Sequence, residues 1–528
     1  MSELLQDFIF DTARRTPDAE ALVYGAERLT YRALAQSVHA AAAAFAAAGV
    51  ARGERIAVYL EKRIETVSAL FGAAAAGAVF VPVNPLLKPE QVAYILADCN
   101  VRTLVTSPER LRQLEPVLES CPDLRTVFVT GVDASESAGV PVLAWGTALA
   151  AHASADAPGA RRIDLDVAAI LYTSGSTGRP KGVVLSHRNL VAGAHSVAGY
   201  LNISAADRLL AVLPLSFDYG LSQLTCAFLR GASVVLLNHL FARDVLNAVV
   251  DESITGLAAV PPLWSQLARL DWRAATSLRY LTNSGGAMPR ALVDALRERL
   301  PQAELFLMYG LTEAFRSTYL PPGELARRPD SMGRAIPNAE VIVVRPDGSR
   351  CAPHEAGELV HRGALVALGY WNDPAKTAER FRPAPGQDPA LPLPEMAVWS
   401  GDTVRADEEG YLYFIGRSDE MIKVSGYRVS PTEIEEVVSA TGLVDEAACF
   451  GVPHPELGQA VVLVAYGDND VAAPLLQACK RRLPAYMVPL HLALRADPLP
   501  RNPNGKIDRK SLQSGFLSLF DPINHSAP

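Results

Sequence analysis

The sequence offers little that would direct it into a membrane or a disulfide-stabilised fold. It has six cysteines in 528 residues, and none stands in a Cys-x-x-Cys pair. Scattered cysteines without a histidine cluster argue against a metal site and indicate a reducing cytoplasm. The alanine-rich run Ala40–Ala48 is too short to span a bilayer. We interpret it as a small-residue helix face packed against a sheet.

The chain also lacks a run of basic residues. Its 49 Lys and Arg residues stand against 57 Asp and Glu residues, which gives a formal net charge of −8. Nucleic-acid partners and a polybasic membrane anchor are therefore not expected. Acidic residues stand near the N-terminus, where a signal peptide needs a basic segment and a long apolar core. These absences together predict a cytoplasmic protein.

What the sequence does contain is an ordinary globular composition and a regular alternation of elements. Hydrophobic residues make up 49% and charged residues 20% of the chain. Helix-like and strand-like segments alternate over residues 28–160 and again from Asp166 to about Leu320. The strand-like segments Arg55–Leu60 and Val79–Val83, for example, flank the helix-like segment Ile64–Ala76. This alternation predicts an α/β fold with parallel-rich sheets between helices.

A change of composition divides the chain. Residues 383–394 contain five prolines and predict an exposed loop. From Ala397 the chain becomes β-rich, and a smaller unit with a helix at Pro431–Ala440 follows. We therefore expect a large domain over residues 1–417 and a small α+β domain over residues 418–528.

A loop rich in glycine and hydroxyl groups is the strongest local signal. Glycines let backbone N–H groups turn toward an anion, and hydroxyls and a lysine add donors and charge, so the loop predicts a polyphosphate site. It is not the usual P-loop, which needs Gly-Lys-Ser/Thr. A flexible surface loop is the alternative interpretation. The loop follows the apolar segment Val167–Leu171 and contains Thr173, Ser174, Gly175, Ser176, Thr177 and Gly178, with Lys181 shortly after.

This loop and five further motifs, in the same order, resemble those of the AMP-forming adenylating superfamily. That superfamily includes acyl-CoA synthetases, peptide-synthetase adenylation domains and firefly luciferases. The resemblance covers about residues 10 to 515. Its further motifs are Tyr309–Glu313, Gly357–Leu359 with Arg362 and Gly363, Ser400–Asp402, Gly416–Asp419 with Ile422–Arg428, and Asn504–Lys506.

The resemblance implies an architecture and a reaction. The large domain would be the AMP-binding domain with a β-barrel-like subdomain, and the small domain a mobile lid that pivots at Asp419. A carboxylate would attack the α-phosphate of ATP, giving an acyl-adenylate and pyrophosphate. A thiol would then attack the acyl carbon and release AMP. The implied cofactors are ATP and Mg²⁺, and the acceptor is coenzyme A or a 4′-phosphopantetheine carrier.

The resemblance also implies roles for individual residues. Lys506 would bridge the carboxylate and the α-phosphate, Glu313 would hold Mg²⁺, and Thr312 would donate to the α-phosphate. Tyr309 would stack on adenine, and Asp402 would bind both ribose hydroxyls. Further nucleotide contacts are implied for Gly285, Gly286, Ala287, Gly310 and Arg417. After the pivot, a loop containing Lys423, Gly426 and Arg428 would replace Lys506 and help to build the thiol channel.

The acid pocket is the part on which the motifs say least. Asp218 follows the pattern of amino-acid adenylation domains, where an aspartate pairs with the substrate ammonium. A buried aspartate needs a cation or strong hydrogen bonds, and Arg316 is the other candidate partner. An amino acid is expected in the first case, and a fatty or aryl acid in the second. If both residues bind the substrate, a zwitterionic acid with a second acidic or polar group is expected. The residues expected to line the pocket are Phe217, Asp218, Tyr219, Ser222, Ala259, Thr282, Ser284, Met308, Arg316 and Ser317.

The sequence also bears on the thiol acceptor and on two alternative classes of protein. No phosphopantetheine attachment motif stands in the sequence, so the thiol is expected from coenzyme A or a separate carrier protein. A luciferase-like oxygenase shares these motifs but needs a large apolar pocket. A non-catalytic relative would be expected to lack Lys506 or Glu313, and both are present. Segments around Pro82–Cys99 also resemble bacterial acyl-CoA ligases associated with exosortase A systems.

Overall fold

The computed structural model describes most of the chain. It covers residues 4–131, 135–137, 139–153, 162–173, 180–286, 288, 290–417, 421–467, 469–500 and 507–521. Four predicted features lie outside these residues: loop residues 174–178, Ala287, the hinge Asp419 and the lysine Lys506.

The first third of the chain alternates strands and helices as the sequence predicts. Helix α3 has the predicted bounds. The alanine-rich face of α2 packs on α3, where a Cβ at Gly72 would stand 2.6 Å from the Cβ of Ala41. Phe45 of the same run also meets the ring of Phe128, in a neighbouring strand, edge to face at 5.3 Å. A 3-10 turn covers Glu115–Ser120. The elements are α1 Asp7–Arg15, β1 Glu20–Tyr24, β2 Glu27–Thr30, α2 Tyr31–Ala47, β3 Arg55–Tyr59, α3 Ile64–Ala76, β4 Val79–Pro82, α4 Pro89–Asp98, β5 Val101–Thr106, α5 Pro108–Leu114, β6 Thr126–Val129, β7 Ser135–Ser137, β8 Val140–Ala144 and α6 Trp145–Ala151.

The second part repeats the alternation. Thr312–Ala314 and Pro322–Glu324 form 3-10 turns. The elements are β9 Val167–Thr173, β10 Lys181–Ser186, α7 His187–Tyr200, β11 Arg208–Ala211, α8 Asp218–Arg230, β12 Ser233–Leu236, α9 Ala242–Asp251, β13 Gly256–Ala259, α10 Pro261–Leu267, β14 Tyr280–Asn283, α11 Arg290–Arg299, β15 Glu304–Tyr309 and β16 Thr318–Leu320.

The last part is richer in strands. Asn469–Val471 and Ala485–Met487 form 3-10 turns. The elements are β17 Arg334–Ala335, β18 Ala339–Val344, β19 Ala356–Gly363, β20 Gly369–Tyr370, α12 Pro374–Arg380, β21 Phe381–Pro383, β22 Met396–Ala406, β23 Leu412–Arg417, β24 Ile422–Val424, β25 Tyr427–Val429, α13 Pro431–Ser439, β26 Glu446–His454, β27 Gly458–Tyr466, α14 Ala472–Arg482, β28 His491–Arg495 and α15 Arg509–Ser514.

The described strands form two large sheets, each with nine strands in the described part of the chain. The first has the order β17-β16-β15-β14-β13-β11-β12-β1-β2, and the second has the order β20-β10-β9-β4-β3-β5-β6-β8-β7. Central neighbours such as β13 with β14 and β3 with β4 run parallel, whereas edge pairs such as β15 with β16 run antiparallel. The predicted parallel-rich α/β fold is confirmed.

Helices between the two large sheets hold the core together. All of α3 from Thr66 to Ala76 is buried, and α8 is buried from Tyr219 to Phe228. The rings of Phe71 and Phe228 join the two helices edge to face at 5.4 Å. A helix that is buried all round lies between layers, which here joins both sheets in one apolar cluster.

Two smaller sheets complete the described structure. Antiparallel β18, β19, β22 and β21, with β23 beside β22, form the predicted barrel-like subdomain, and β24 to β28 form a separate α+β unit. Between them, β23 ends at Arg417 and β24 begins at Ile422. The boundary expected between residues 417 and 418 falls in this interval and stays a prediction. Among the described residues, no helix combines the length and the apolar character needed to cross a bilayer.

Candidate active site

A cavity of 680 Å³ lies where the carboxyl ends of β13, β14 and β15 meet the hairpin β24–β25. Ligands of open parallel sheets usually bind beyond the carboxyl ends of the strands. The large domain and the small domain both contribute to its wall. The wall includes most of the predicted residues that the structure describes, among them Thr173, Phe217, Asp218, Tyr219, Ser284, Gly285, Tyr309, Gly310, Thr312, Glu313, Arg316, Asp402, Lys423 and Gly426.

One end of the cavity combines a tyrosine, an aspartate and bare backbone. The hydroxyl of Tyr309 donates a hydrogen bond to the carboxylate of Asp402, which is buried. Arg417 lies directly across the strand pair from Asp402, in β23. Gly285 adopts a φ of +81°, and a Cβ at Gly286 would stand 3.2 Å from Pro261. An aromatic ring, a carboxylate and exposed backbone are groups that can bind a base and a ribose.

A second end of the cavity is lined by the carboxylate of Glu313, and a lysine lies nearby. Glu313 is buried, and Tyr370 donates a 2.6 Å hydrogen bond to its Oε1. The ammonium of Lys181 stands 5.2 Å above the ring of Tyr370, and burial lowers its pKa. Thr173 ends β9, which pairs with β10. The structure thus brings the lysine that follows the glycine-rich loop to the same place as the predicted Mg²⁺ carboxylate.

A tight turn after β15 sets the direction of the next side chains. A Cβ at Gly310 would stand 2.7 Å from the carbonyl oxygen of Phe315. Phe315 itself has φ +58° and ψ −77°, a conformation that costs free energy in a residue with a side chain. Its ring fills the space beside Gly193, where a Cβ would stand 2.6 Å from it. The turn places Glu313 and Arg316 on the same cavity.

The third end of the cavity is charged. Asp218 starts α8, and Nη2 of Arg316 stands 3.9 Å from its Oδ2, which is within ion-pair range but longer than a hydrogen bond. Burial raises the pKa of Asp218, and the Arg316 guanidinium opposes that rise. Arg316 lies over the ring of Tyr219 and donates a 2.9 Å hydrogen bond to Ser284 Oγ.

Other predicted pocket residues lie behind this wall. Ser222 is buried in α8 and donates to the Tyr219 carbonyl, and Ala259 is buried at the end of β13. Met308 lies on a second cavity of 780 Å³, on the far side of Tyr309. Thr282 lies 2.7 Å from the Tyr219 hydroxyl and so supports that ring from behind.

The hairpin β24–β25 closes the cavity from the small domain. Its turn residues Ser425 and Gly426 have φ of +50° and +83°, as a two-residue type I′ turn requires. A Cβ at Gly426 would stand 2.8 Å from Val260 of the large domain. Tyr427 packs edge to face on Phe217 at 5.1 Å and stacks on Tyr486 at 3.9 Å. The predicted thiol-step loop therefore lines the site, together with Glu433, Tyr486 and Met487.

Several residues of the site were not predicted from the sequence. Tyr370, Val260 and Tyr486 carry no motif that would have singled them out. The hydrogen bond from Gln91 to Glu433, 2.7 Å long, joins the two domains beside the cavity. Tyr370 follows the predicted motif residues Arg362 and Gly363, and Val260 directly follows the predicted pocket residue Ala259. The contacts of Tyr370 and Val260, however, join distant parts of the chain.

The chain matches two family models. The model described as AMP-binding enzyme matches residues 9–371, and that of the AMP-binding enzyme C-terminal domain matches residues 433–506. The chain therefore belongs to the AMP-binding enzyme family.

Its relatives include synthases much longer than this chain and ligases of similar length. It is 30% identical to surfactin synthase subunit 2 of Bacillus subtilis, over 98% of this chain but only 14% of that protein. It is also 30% identical to 4-coumarate–CoA ligase 2 of Oryza sativa subsp. japonica, over 97% of this chain and 92% of that one.

Solved structures of the family share its fold. A double mutant of o-succinylbenzoate CoA synthetase from Bacillus subtilis, bound with its product analogue, has a TM-score of 0.83 at 27% identity, covering 96% of this chain and 97% of that one. The same synthetase with its acyl-adenylate intermediate has a TM-score of 0.69 at the same identity and coverage. VinN in complex with L-aspartate is 31% identical over 78% of this chain and 98% of that one, with a TM-score of 0.67.

Proposed function

We propose that this ligase activates an amino acid, or another small polar acid, as its acyl-adenylate. It then transfers the acyl group to the phosphopantetheine thiol of coenzyme A or of a separate carrier protein. The observation that carries the proposal is the carboxylate of Asp218, which stands at the end of the cavity and is largely withdrawn from water. The complex of VinN with L-aspartate supports an amino acid as substrate.

A buried carboxylate selects for a cationic group. Burial raises the pKa of Asp218, so an ionised Asp218 costs free energy that a substrate ammonium would recover. Arg316 stands 3.9 Å away and makes its hydrogen bond to Ser284 instead. Asp218 is therefore left able to accept hydrogen bonds from a ligand in the cavity.

In the proposed first half-reaction, this chain mainly supplies positive charge and orientation. Two anions must approach, so a fixed cation such as Lys506, together with Thr312, would stabilise the transition state. Tyr309 and Asp402 would hold adenosine at the opposite end. Glu313 is a buried oxygen donor, and Mg²⁺ is usually bound by one or two carboxylates with substrate phosphates. A bound Mg²⁺ would supply charge neutralisation at those phosphates.

In the second half-reaction the hairpin β24–β25 would guide the thiol. The turn at Gly426 already lies against Val260. The chain superposes better on the product-analogue complex of o-succinylbenzoate CoA synthetase than on its acyl-adenylate complex. This difference supports the proposal that the two domains are arranged here as in the second half-reaction. Lys506 would then have left the cavity, consistent with a pivot at Asp419.

An ATP–pyrophosphate exchange screen tests the proposed substrate class. Exchange rates with amino acids, fatty acids and aryl acids are measured for the wild-type enzyme and for Asp218→Ala. We expect the wild-type enzyme to catalyse exchange with an amino acid. In Asp218→Ala, the apparent substrate constant for that amino acid should rise by an amount equivalent to about 3–5 kcal/mol, because the substrate ammonium loses its buried partner. In the same variant, the exchange rate with the matching acid that lacks the amino group should rise relative to the rate with the amino acid.

A second candidate function follows from the same pair of residues. If Asp218 serves only as the counter-ion of Arg316, the substrate is a fatty or aryl acid. A wild-type preference for the acid without the amino group would favour this second function and exclude the first. Acceptors are then compared by following thioester formation with coenzyme A and with a phosphopantetheinylated carrier protein.

A further inference from the structure

Arg316 is among the most deeply buried charged side chains of the described chain, with 2% of its surface exposed. It nevertheless borders the cavity beside Asp218 and Ser284. An arginine keeps its charge in any protein environment. The structure must therefore provide for a permanent cation at the acid end of the site.

The protein satisfies only part of this guanidinium. Nη1 donates to Ser284 Oγ at 2.9 Å, and the plane lies over the ring of Tyr219 with its centre 4.7 Å away. Among the residues that the structure describes, Nε and Nη2 have no hydrogen-bond partner. Nη2 is 3.9 Å from Asp218, which is too long for a hydrogen bond. Buried polar groups are nearly always hydrogen-bonded, so these donors point to a ligand.

Charge balance distinguishes the ligands that could complete the site. Asp218 and Arg316 together carry no net charge. An amino acid with one carboxylate sends that group to the α-phosphate and its ammonium to Asp218, which leaves Arg316 without a counter-ion. An acid that carries both an ammonium and a second carboxylate gives each buried charge its own partner.

We propose that Arg316, with Ser284, binds a second carboxylate of the substrate, so that the acid is an amino dicarboxylic acid. This inference rests on the proposed function and narrows its substrate class. The unpartnered Nε and Nη2 lie on one edge of the planar fork, the edge that pairs with both oxygens of a carboxylate. Asp218 binds the ammonium, and the remaining carboxylate is the one that reacts with ATP.

Pyrophosphate exchange with matched acids tests the proposal. The wild-type enzyme is compared on L-aspartate and L-glutamate, their amides L-asparagine and L-glutamine, aliphatic L-norvaline, and succinate and glutarate. We expect kcat/KM for one amino dicarboxylic acid to exceed that for its amide and for norvaline by about 10²-fold or more, because those analogues leave Arg316 unpaired. The acids without the amino group should be poor because they leave Asp218 unpaired.

Arg316→Gln provides the second arm. It should lower kcat/KM for the amino dicarboxylic acid by about 10²-fold or more and narrow the ratio of acid to amide toward one. Ser284→Ala, which removes one neutral partner of Arg316, should change the same ratio in the same direction by only about ten-fold. KM for ATP reports that the nucleotide end is intact in each variant.

The possible outcomes distinguish failure of the second-carboxylate subsite at Arg316 from failure of the proposed amino-acid ligase function. A wild type that prefers norvaline or an amide overturns the second-carboxylate subsite and leaves an amino-acid ligase. An unchanged ratio of acid to amide in Arg316→Gln also overturns it. A wild type that uses only fatty or aryl acids removes the proposed amino-acid function itself. If Arg316→Gln does not fold, the wild-type ratios alone decide.

Discussion

Gly426, at the tip of the small-domain hairpin, lies so close to Val260 of the large domain that a Cβ there would stand 2.8 Å from Val260 Cγ1. Its φ of +83° is also in the left-handed region that favours glycine. Two independent constraints therefore require glycine at this point, where the hairpin lines the cavity. The contact belongs to one arrangement of the two domains.

Gly426→Val should therefore separate the half-reactions. The added side chain would displace the hairpin from its position against Val260. Thioester formation should therefore fall by about 10²-fold or more, because the thiol would no longer be guided to the acyl carbon. Pyrophosphate exchange should stay near the wild-type rate, since the hairpin is not needed for it. Gly442→Val, at a glycine with positive φ and open space, controls for hairpin-independent strain. Equal loss in both half-reactions would contradict this role.

Lys506→Ala should have the opposite effect. Losing one preorganised donor at the α-phosphate costs about 10²–10³ in rate, so adenylate formation should nearly stop. Thioester formation from supplied acyl-adenylate should survive, because Lys506 is expected to have left the site by then. Single-turnover assays of each step measure this. Lys510→Ala, a nearby exposed lysine, is the matched control. The pivot is refuted by a similar loss in the second step.

Asp419→Pro should trap the enzyme in one domain arrangement. Proline fixes φ near about −65°, so a pivot that needs a large change at this residue is blocked. We expect pyrophosphate exchange to continue and thioester formation to fail. Asp521→Pro, near the end of the described chain, controls for a proline remote from the hinge. A wild-type yield of thioester would show that the hinge lies elsewhere.

A buried histidine should make stability depend on pH. His361 is fully buried with Nδ1 2.9 Å from Ser317 Oγ, and burial lowers its pKa to about 4 from an ordinary value near 6.5. Between those values the unfolded chain binds a proton that the folded chain does not. The free energy of unfolding should therefore fall by about 3 kcal/mol as pH decreases from about 6.5 to about 4, and be unaffected by this group above 6.5.

Replacing the histidine measures this contribution. His361→Gln should make the free energy of unfolding of the large domain less sensitive to pH in that window. His187, whose pKa burial also lowers to about 4, keeps its own contribution in the variant. An identical slope in wild type and His361→Gln would show that this side chain is accessible to protons in the folded state.

Local patterns predicted most of the architecture. The helix Ile64–Ala76 was expected with the bounds it has, because a helical apolar period between two strand-like runs is a local property. The order of the motifs likewise predicted which residues meet at the cavity, including Asp218, Tyr309 and Asp402. The close packing of Ala41 on the helix α3 was not predicted, because small residues fit a helix as well as a sheet.

The sequence by itself determined the chemistry available to this protein: a glycine-rich loop, a lysine, carboxylates and an arginine in a fixed order. Only the tertiary structure decided which of these groups are satisfied. Asp218 and Arg316 are adjacent yet 3.9 Å apart, and Tyr370 reaches Glu313 across the fold. Local propensity cannot specify such distances, because they depend on how separate strands, helices and a second domain pack around one cavity.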